Sequence, residues 1–232
     1  MADYLILKLD GVMQSWGDHT YEDFRPTVGF PTRSGLVGLL AACLGIDRSA
    51  SDELTVLNRD LEFAVRAEAR RRADAVGVVH SAPVVRITDF HTVMDARKVD
   101  GSSREFPVVS KRQYLCDAVF TVALRPRHGS TWSLDQIEAA VKRPVYTPSL
   151  GRRACALSRP LFEGRVEAAD ALIALAQVGP EEAIGDVVYA DADAGSAGPI
   201  LRLRDDPIFG RRRQFANRPV LVLGTGSGHV SE

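Results

Sequence analysis

The chain has 232 residues, 45% of them hydrophobic and 25% charged, with a formal net charge of −1. That is roughly one and a half average domains of ordinary globular composition, which excludes a disordered chain, a collagen-like fibre and a disulfide-built miniature. Taken at face value, the charge also argues against a nucleic-acid binder.

Tyr4-Leu5-Ile6-Leu7-Lys8-Leu9, closed by Asp10-Gly11, reads as a buried strand. Residues 12–31 are aromatic, polar and punctuated by Gly and Pro, hence a long loop. Thr32 is a good N-cap for a helix through Leu36, Leu39, Leu40, Cys43 and Leu44, with Gly45 as its stop. A short helix follows from Ser51, then an alternating strand over residues 61–66. Extended segments at 84–90 and 106–111 flank a polar, Gly-containing stretch. Residues 118–124 form the strongest strand. Ser133 with Gln136 makes a capping box for a helix that Pro144 ends. Residues 167–177 read as helix, 191–199 as a flexible loop rich in Ala, Gly and Asp, and 220–223 as a closing strand. The resulting order, β-α-β, an interruption, then β-α, is close to the ferredoxin-like β-α-β-β-α-β arrangement. The interruption at about 77–114 is too long for a hairpin turn and is expected to be a projecting insertion.

The net charge conceals an uneven distribution. Residues 1–165 hold 23 Lys+Arg against 20 Asp+Glu, whereas residues 166–232 hold 6 against 10. Three windows are strongly basic: 97–112, with five bases and two acids; 142–165, with six and one; and 211–218, with four and none. Residues 166–206 reverse this with nine acids and two bases, and these acids are expected to face solvent or protein. A phosphate backbone feels the local field, not the total.

Three segments could carry chemistry. The helix start at Thr32-Arg33-Ser34-Gly35 offers unpaired amides and a positive dipole end to a phosphate, and Gly35 leaves room for close approach. Tyr146-Thr147-Pro148-Ser149-Leu150-Gly151-Arg152-Arg153 places a Gly between a turn and paired arginines, with Tyr146 as a stacking face. The insertion mixes Arg97, Lys98, Arg104, Lys111 and Arg112 with Phe90, Phe106 and Tyr114, a composition suited to a single strand. Nothing matches a nucleotide-binding loop. His19, His80, His91 and His128 have no metal spacing, so neither metal nor cofactor is expected. Cys43 reads as a core residue, and Asp191 with Asp193 as part of a solubilising tether. The cysteines, Cys43, Cys116 and Cys155, form no C-x-x-C pair, which points to a reducing cytoplasm. No apolar run is long enough to span a membrane, and the N-terminus is too acidic for a signal peptide.

Several blocks go beyond composition. Tyr4 to Leu9, Met13-Gln14-Ser15-Trp16-Gly17, Arg25-Pro26-Thr27 and Phe30 to Leu40 closely resemble the CasD family of type I-E CRISPR Cascade subunits. So do Asp89 to Val93, Tyr114 to Ala118, Tyr146 to Cys155 and Arg213-Gln214-Phe215-Ala216, in one order along nearly the whole chain.

The resemblance implies an α+β protein of the RAMP superfamily. Its ferredoxin-like (RRM-like) palm would be formed by residues 1–76 and 115–165, with a β-hairpin-like thumb at 77–114 and a C-terminal extension at 166–232. It implies a non-catalytic RNA-binding subunit that grips and caps the 5′ handle of the guide RNA (crRNA) in a defence complex against foreign DNA. Expected partners are the repeating backbone subunit and the large subunit, with target DNA reached only through the complex. The candidate RNA contacts are Gln14, Trp16, Arg25, Thr32, Arg33, Ser34, Gly35, Arg97, Lys98, Arg104, Lys111, Arg112, Tyr146, Ser149, Gly151, Arg152 and Arg153, with core packing as the alternative for Trp16. A relative in another subtype processes precursor RNA, so the rival reading is a metal-independent endoribonuclease using His91, Tyr114 or Lys111. A protein-only scaffold is the third.

Overall fold

The computed structural model describes residues 1–17, 23–73, 75–77, 79–98, 100–179, 185–192, 196–210 and 214–224. Strand β1 (Ala2–Asp10) is followed by four two-residue strands, β2 (Met13–Gln14), β3 (Trp16–Gly17), β4 (Phe24–Arg25) and β5 (Thr27–Val28), then helices α1 (Arg33–Leu44) and α2 (Ser51–Asp60). Next come β6 (Leu61–Glu68), β7 (Arg70–Ala73), β8 (Val79–Ala82), β9 (Val85–Val93), β10 (Val108–Cys116), β11 (Val119–Pro126) and α3 (Leu134–Lys142). The chain closes with β12 (Phe162–Ala168), α4 (Ala171–Gln177), β13 (Val187–Asp191), β14 (Ile200–Ile208) and β15 (Gln214–Gly224).

A seven-stranded antiparallel sheet in the order β12-β1-β11-β6-β13-β15-β14 carries the molecule. The period-2 alternation of its strands sorts side chains to two faces. Leu5, Leu7, Leu9, Phe63, Val65, Phe120, Val122 and Leu124 pack with α1, α2 and α3 in the larger core. Tyr4, Ile6, Ala64, Ala123, Ala168 and Ala190 form the other face, where the small alanines let the short α4 sit close through Ala171, Ala174 and Leu175.

Local signals account for the helices. Thr32 Oγ1 accepts the Gly35 amide, and Gly45 ends α1 at φ 77°, a conformation that suits glycine. Ser133 and Gln136 form the reciprocal capping box of α3.

The C-terminal third departs from the sequence expectation. Residues 162–168 form an edge strand beside β1, alternating half-buried and exposed side chains, and helix begins only at Ala171, where Asp170 accepts the Ile173 amide at 2.8 Å. Asp191 belongs to strand β13, which hydrogen-bonds to β6, so β13, β15 and β14 continue the main sheet.

A second sheet stands off the first. β10 is its spine. It pairs along its length with β9, and on its other side with β2 near the root and in parallel with β4 further out. Nearly every side chain of β9 is exposed. Beyond the hairpin strands, an Arg97–Ser103 bridge closes the tip.

Candidate nucleic-acid interface

The hairpin register assembles a polar notch. Arg112 lies opposite Arg25 of β4 on one side and Asp89 of β9 on the other, while Ser110 lies opposite His91. Ser110, Arg112 and Tyr114 share one face of β10 by alternation. Arg112 Nε donates to Ser110 Oγ at 3.0 Å. The Tyr114 hydroxyl meets His91 Nε2 at 3.2 Å, and the same nitrogen lies 2.8 Å from Asp89 Oδ2.

The loop after α3 closes the notch. The Arg152 guanidinium lies over the Tyr114 ring, 4.8 Å from its centroid, and donates to the carbonyls of Gln113 (3.1 Å) and Arg25 (2.9 Å). These bonds fix its orientation without neutralising its charge. Gly151 turns the loop at φ 89°, where an added Cβ would stand 1.8 Å from the Ser15 carbonyl oxygen. The Ser15 amide in turn donates to the Leu150 carbonyl and its hydroxyl to the Gln113 carbonyl, so this one residue ties the loop to β10. Ser149 is half-buried in the turn, Arg153 is exposed, and Tyr146 is half-exposed beside the end of α1, its amide donating to the Ala42 carbonyl.

Arg25, Arg97, Lys98, Arg104, Lys111 and Arg153 are exposed, and Arg112 and Arg152 are half-exposed. Among the described residues none of these eight cations sits in an ion pair. By contrast Arg33, Arg66, Arg125, Arg127, Arg165 and Arg218 each face a carboxylate.

Five expected contacts are corrected: Arg33, Thr32, Gly35, Trp16 and Gln14. Arg33 is 6% exposed, too buried to reach a phosphate. Its guanidinium donates to Asp191 Oδ2 (3.0 Å), Asn58 Oδ1 (2.9 Å) and the carbonyls of Leu61 (2.9 Å) and Asn58, and packs over the Phe63 ring. Burial pulls its pKa below the ordinary arginine value, and Asp191 opposes the shift. The helix start itself is occupied: the Arg33 amide donates to Asp205 Oδ2 at 2.8 Å, and Thr32 Oγ1 is used on Gly35 and Ser34. Gly35 is small for Trp16, whose ring would lie 2.8 Å from a Cβ there, not for a ligand.

Trp16 is wholly buried, edge-to-face with Phe120, which selects core packing over stacking. Gln14 is equally buried and pins the segment internally. Its amide donates to the carbonyls of Leu9 and Ala118 and accepts from the Trp16 indole at 3.2 Å.

Of the acids expected to face solvent or partners, Asp186 and Asp205 are buried and Asp191 and Asp206 half-buried, while Glu167 and Asp170 are exposed. Arg218 makes a bidentate bond to Asp205 and a third to Asp191 at 2.9 Å, and Arg127 joins Asp191 at 3.1 Å. His19, Asp193 and Arg211, Arg212 and Arg213 of the third basic window lie outside the described residues.

Cys43 is in the core as expected, with its thiol pushed up to about 11 by burial. Among the described residues no group of three His, Cys, Asp or Glu could hold a metal, and no helix is long and apolar enough to cross a membrane. The sequence reading set Tyr114 among the basic residues of the insertion but did not join Ser110, Asp89 and His91 to the arginines. Only the β9–β10 pairing, read as a register, could have done so.

Known proteins share this arrangement of chain. A family model described as CRISPR-associated protein (Cas_Cas5) matches residues 4–221. The chain is 41% identical over 227 residues to the CRISPR system Cascade subunit CasD of Escherichia coli (strain K12), covering 97% of this chain and 98% of that one. Its fold is similar to a chain of a CRISPR RNA-guided surveillance complex, with a TM-score of 0.68, 30% identity and coverage of 96% and 90%. It is also similar to a Cas protein known from a crystal structure, with a TM-score of 0.62, 26% identity and coverage of 96% and 94%. With a family match over nearly its entire length, the chain belongs to the CRISPR-associated Cas5 family.

Proposed function

We propose that the chain is a non-catalytic subunit of a Cascade-type surveillance complex that binds and caps the 5′ handle of the guide RNA. In this reading the strands β12-β1-β11-β6 with α1 and α3 are a ferredoxin-like palm, the β9–β10 hairpin is a thumb, and residues 166–232 extend the palm. Its protein partners are the repeating backbone subunit and the large subunit, in the cytoplasm. The notch of Arg25, Arg112 and Arg152 carries the proposal: three cations are brought together by β4, β10 and the 146–155 loop, and none is neutralised by a carboxylate among the described residues. Arg153, Tyr146 and the tip residues Arg97, Lys98 and Arg104 extend the same surface. Such a cluster suits a phosphate backbone, with Arg152 pre-oriented by its carbonyl bonds. Co-purification of guide RNA with the chain expressed alongside its Cascade partners tests the reading. Loss of that RNA from an Arg25→Ala, Arg112→Ala, Arg152→Ala variant still assembled with those partners supports it; full retention refutes it.

A metal-independent endoribonuclease is favoured by one observation, the Asp89–His91–Tyr114 cluster. Cleavage of RNA needs a base for the 2′-hydroxyl and an acid for the leaving oxygen, and His91 with Tyr114 could supply both. Lys111 projects from the other face of β10 and is not part of that cluster. Site-specific cleavage of repeat RNA in EDTA, abolished by His91→Ala, would establish this second reading.

A further inference from the structure

The opposite face of the hairpin carries a different chemistry. Lys111 of β10 is in register with Phe24 of β4 on one side and with Phe90 of β9 on the other. Residues directly opposite in neighbouring strands share a face, so the three stand in a row, ring, ammonium, ring, at strand spacings of about 5 Å. The row is open: Phe90 is 62% exposed, Phe24 37%, and Lys111 is exposed with no ion pair among the described residues. On the notch side, the same three strands present Arg25, Arg112 and Asp89.

We propose that this row is a stacking site for single-stranded nucleic acid, with one base on the Phe90 ring, another on Phe24, and Lys111 on the phosphate between them. The proposal rests on the RNA-binding reading above and adds the residues that hold bases to those that hold phosphates. A protein partner covering both rings with apolar surface would bury the ammonium between them without a counter-charge. A nucleic-acid strand offers a π-face to each ring and an anion to the cation. Stacking reads no base edge, so the site accepts any base, unlike a hydrogen-bonding pocket.

The test is equilibrium binding of the full chain to a guide RNA that carries the handle, across a salt series. Phe90→Ala is expected to weaken binding about tenfold, the loss of one stack, with the salt slope unchanged, and Phe90→Trp to restore it. Lys111→Ala is expected to lower the slope by about 0.7, the value for one phosphate of a single strand. Abasic sites scanned along the RNA should find a position that costs the wild type the same tenfold and costs Phe90→Ala nothing more. Wild-type affinity in both Phe24→Ala and Phe90→Ala overturns the stacking row while leaving the arginine notch standing. Unchanged RNA binding with failure to join the other Cascade subunits assigns the row to a protein and overturns it too. No binding by the wild type, even at low salt, overturns the RNA-binding reading and this proposal with it.

Discussion

The Asp205 carboxylate closes the start of α1: one oxygen accepts the Arg33 amide at 2.8 Å, and both accept from the Arg218 guanidinium. A residue of β14 thus supplies the anion that the helix N-terminus favours, from 172 positions away in the chain. Asp205→Ala leaves Arg218 and the helix start short of a counter-charge. It is expected to destabilise the fold by about 3 kcal/mol, the range for breaking a buried pair. Urea unfolding measures it, and a loss below about 1 kcal/mol contradicts the assignment.

Gly151→Ala is expected to be worse tolerated than its surface position suggests. Its φ of 89° and the 1.8 Å approach of an added Cβ to the Ser15 oxygen force the loop away from β10. A cost of at least about 2 kcal/mol is expected from strain and displacement together. Gly129→Ala, with positive φ but open space around it, serves as the milder control in the same thermal-melt series.

On RNA binding, Arg152→Ala and Arg25→Ala are each expected to reduce the salt slope by about 0.7. Arg33→Ala is expected to lower the melting temperature and leave the slope of the folded protein unchanged, because its guanidinium is committed to Asp191 and Asn58. A slope reduced by Arg33→Ala and not by Arg152→Ala would reverse the two roles.

Two carboxylates make stability fall in acid. Burial raises the Glu68 pKa, but hydrogen bonds from Lys8 and Thr121 outweigh it and hold the carboxyl below the usual value. The Asp60 carboxyl is held low by Arg59, with burial opposing and the Thr131 amide assisting. A depressed folded-state pKa gives stability that is present above the unfolded-state value and lost as pH falls through the folded one. Denaturation midpoints are therefore expected to decline below about pH 4.5, and less steeply in Glu68→Gln.

Thiol labelling checks the core directly. Cys43 and Cys155 are buried, with thiols raised by that burial, whereas Cys116 is half-exposed. At pH 8 the native protein is expected to label at Cys116 first, and at all three positions after unfolding.

Local grammar made α1 and α3 readable from the chain alone, since Thr32, Gly45 and the Ser133–Gln136 box act within a few residues of the helices they bound. β12 was hidden because only alternate positions are half-buried and Gly164 interrupts its apolar pattern, leaving the helical signal of residues 171–177 to spread backwards. Arg33 was misread for a different reason. A charged residue at a helix start points to a ligand only until its long-range partner is known, and Asp205 and Asp191 are placed by sheet pairing that no local pattern encodes. The same pairing in β9 and β10 brought His91 and Asp89 to Arg112.

The carboxylates of Asp191 and Asp205 behave as counter-ions fastened to the chain. Small cations condensed on a nucleic acid leave when protein charges replace them, and that release is what a salt titration counts. Arg33, Arg127 and Arg218 already hold their own anions, and those cannot diffuse away. These three arginines are therefore silent in such a titration. A polyanion sliding over the molecule finds no grip at the start of α1, whereas the exposed cations of the hairpin carry no such tethered anion among the described residues.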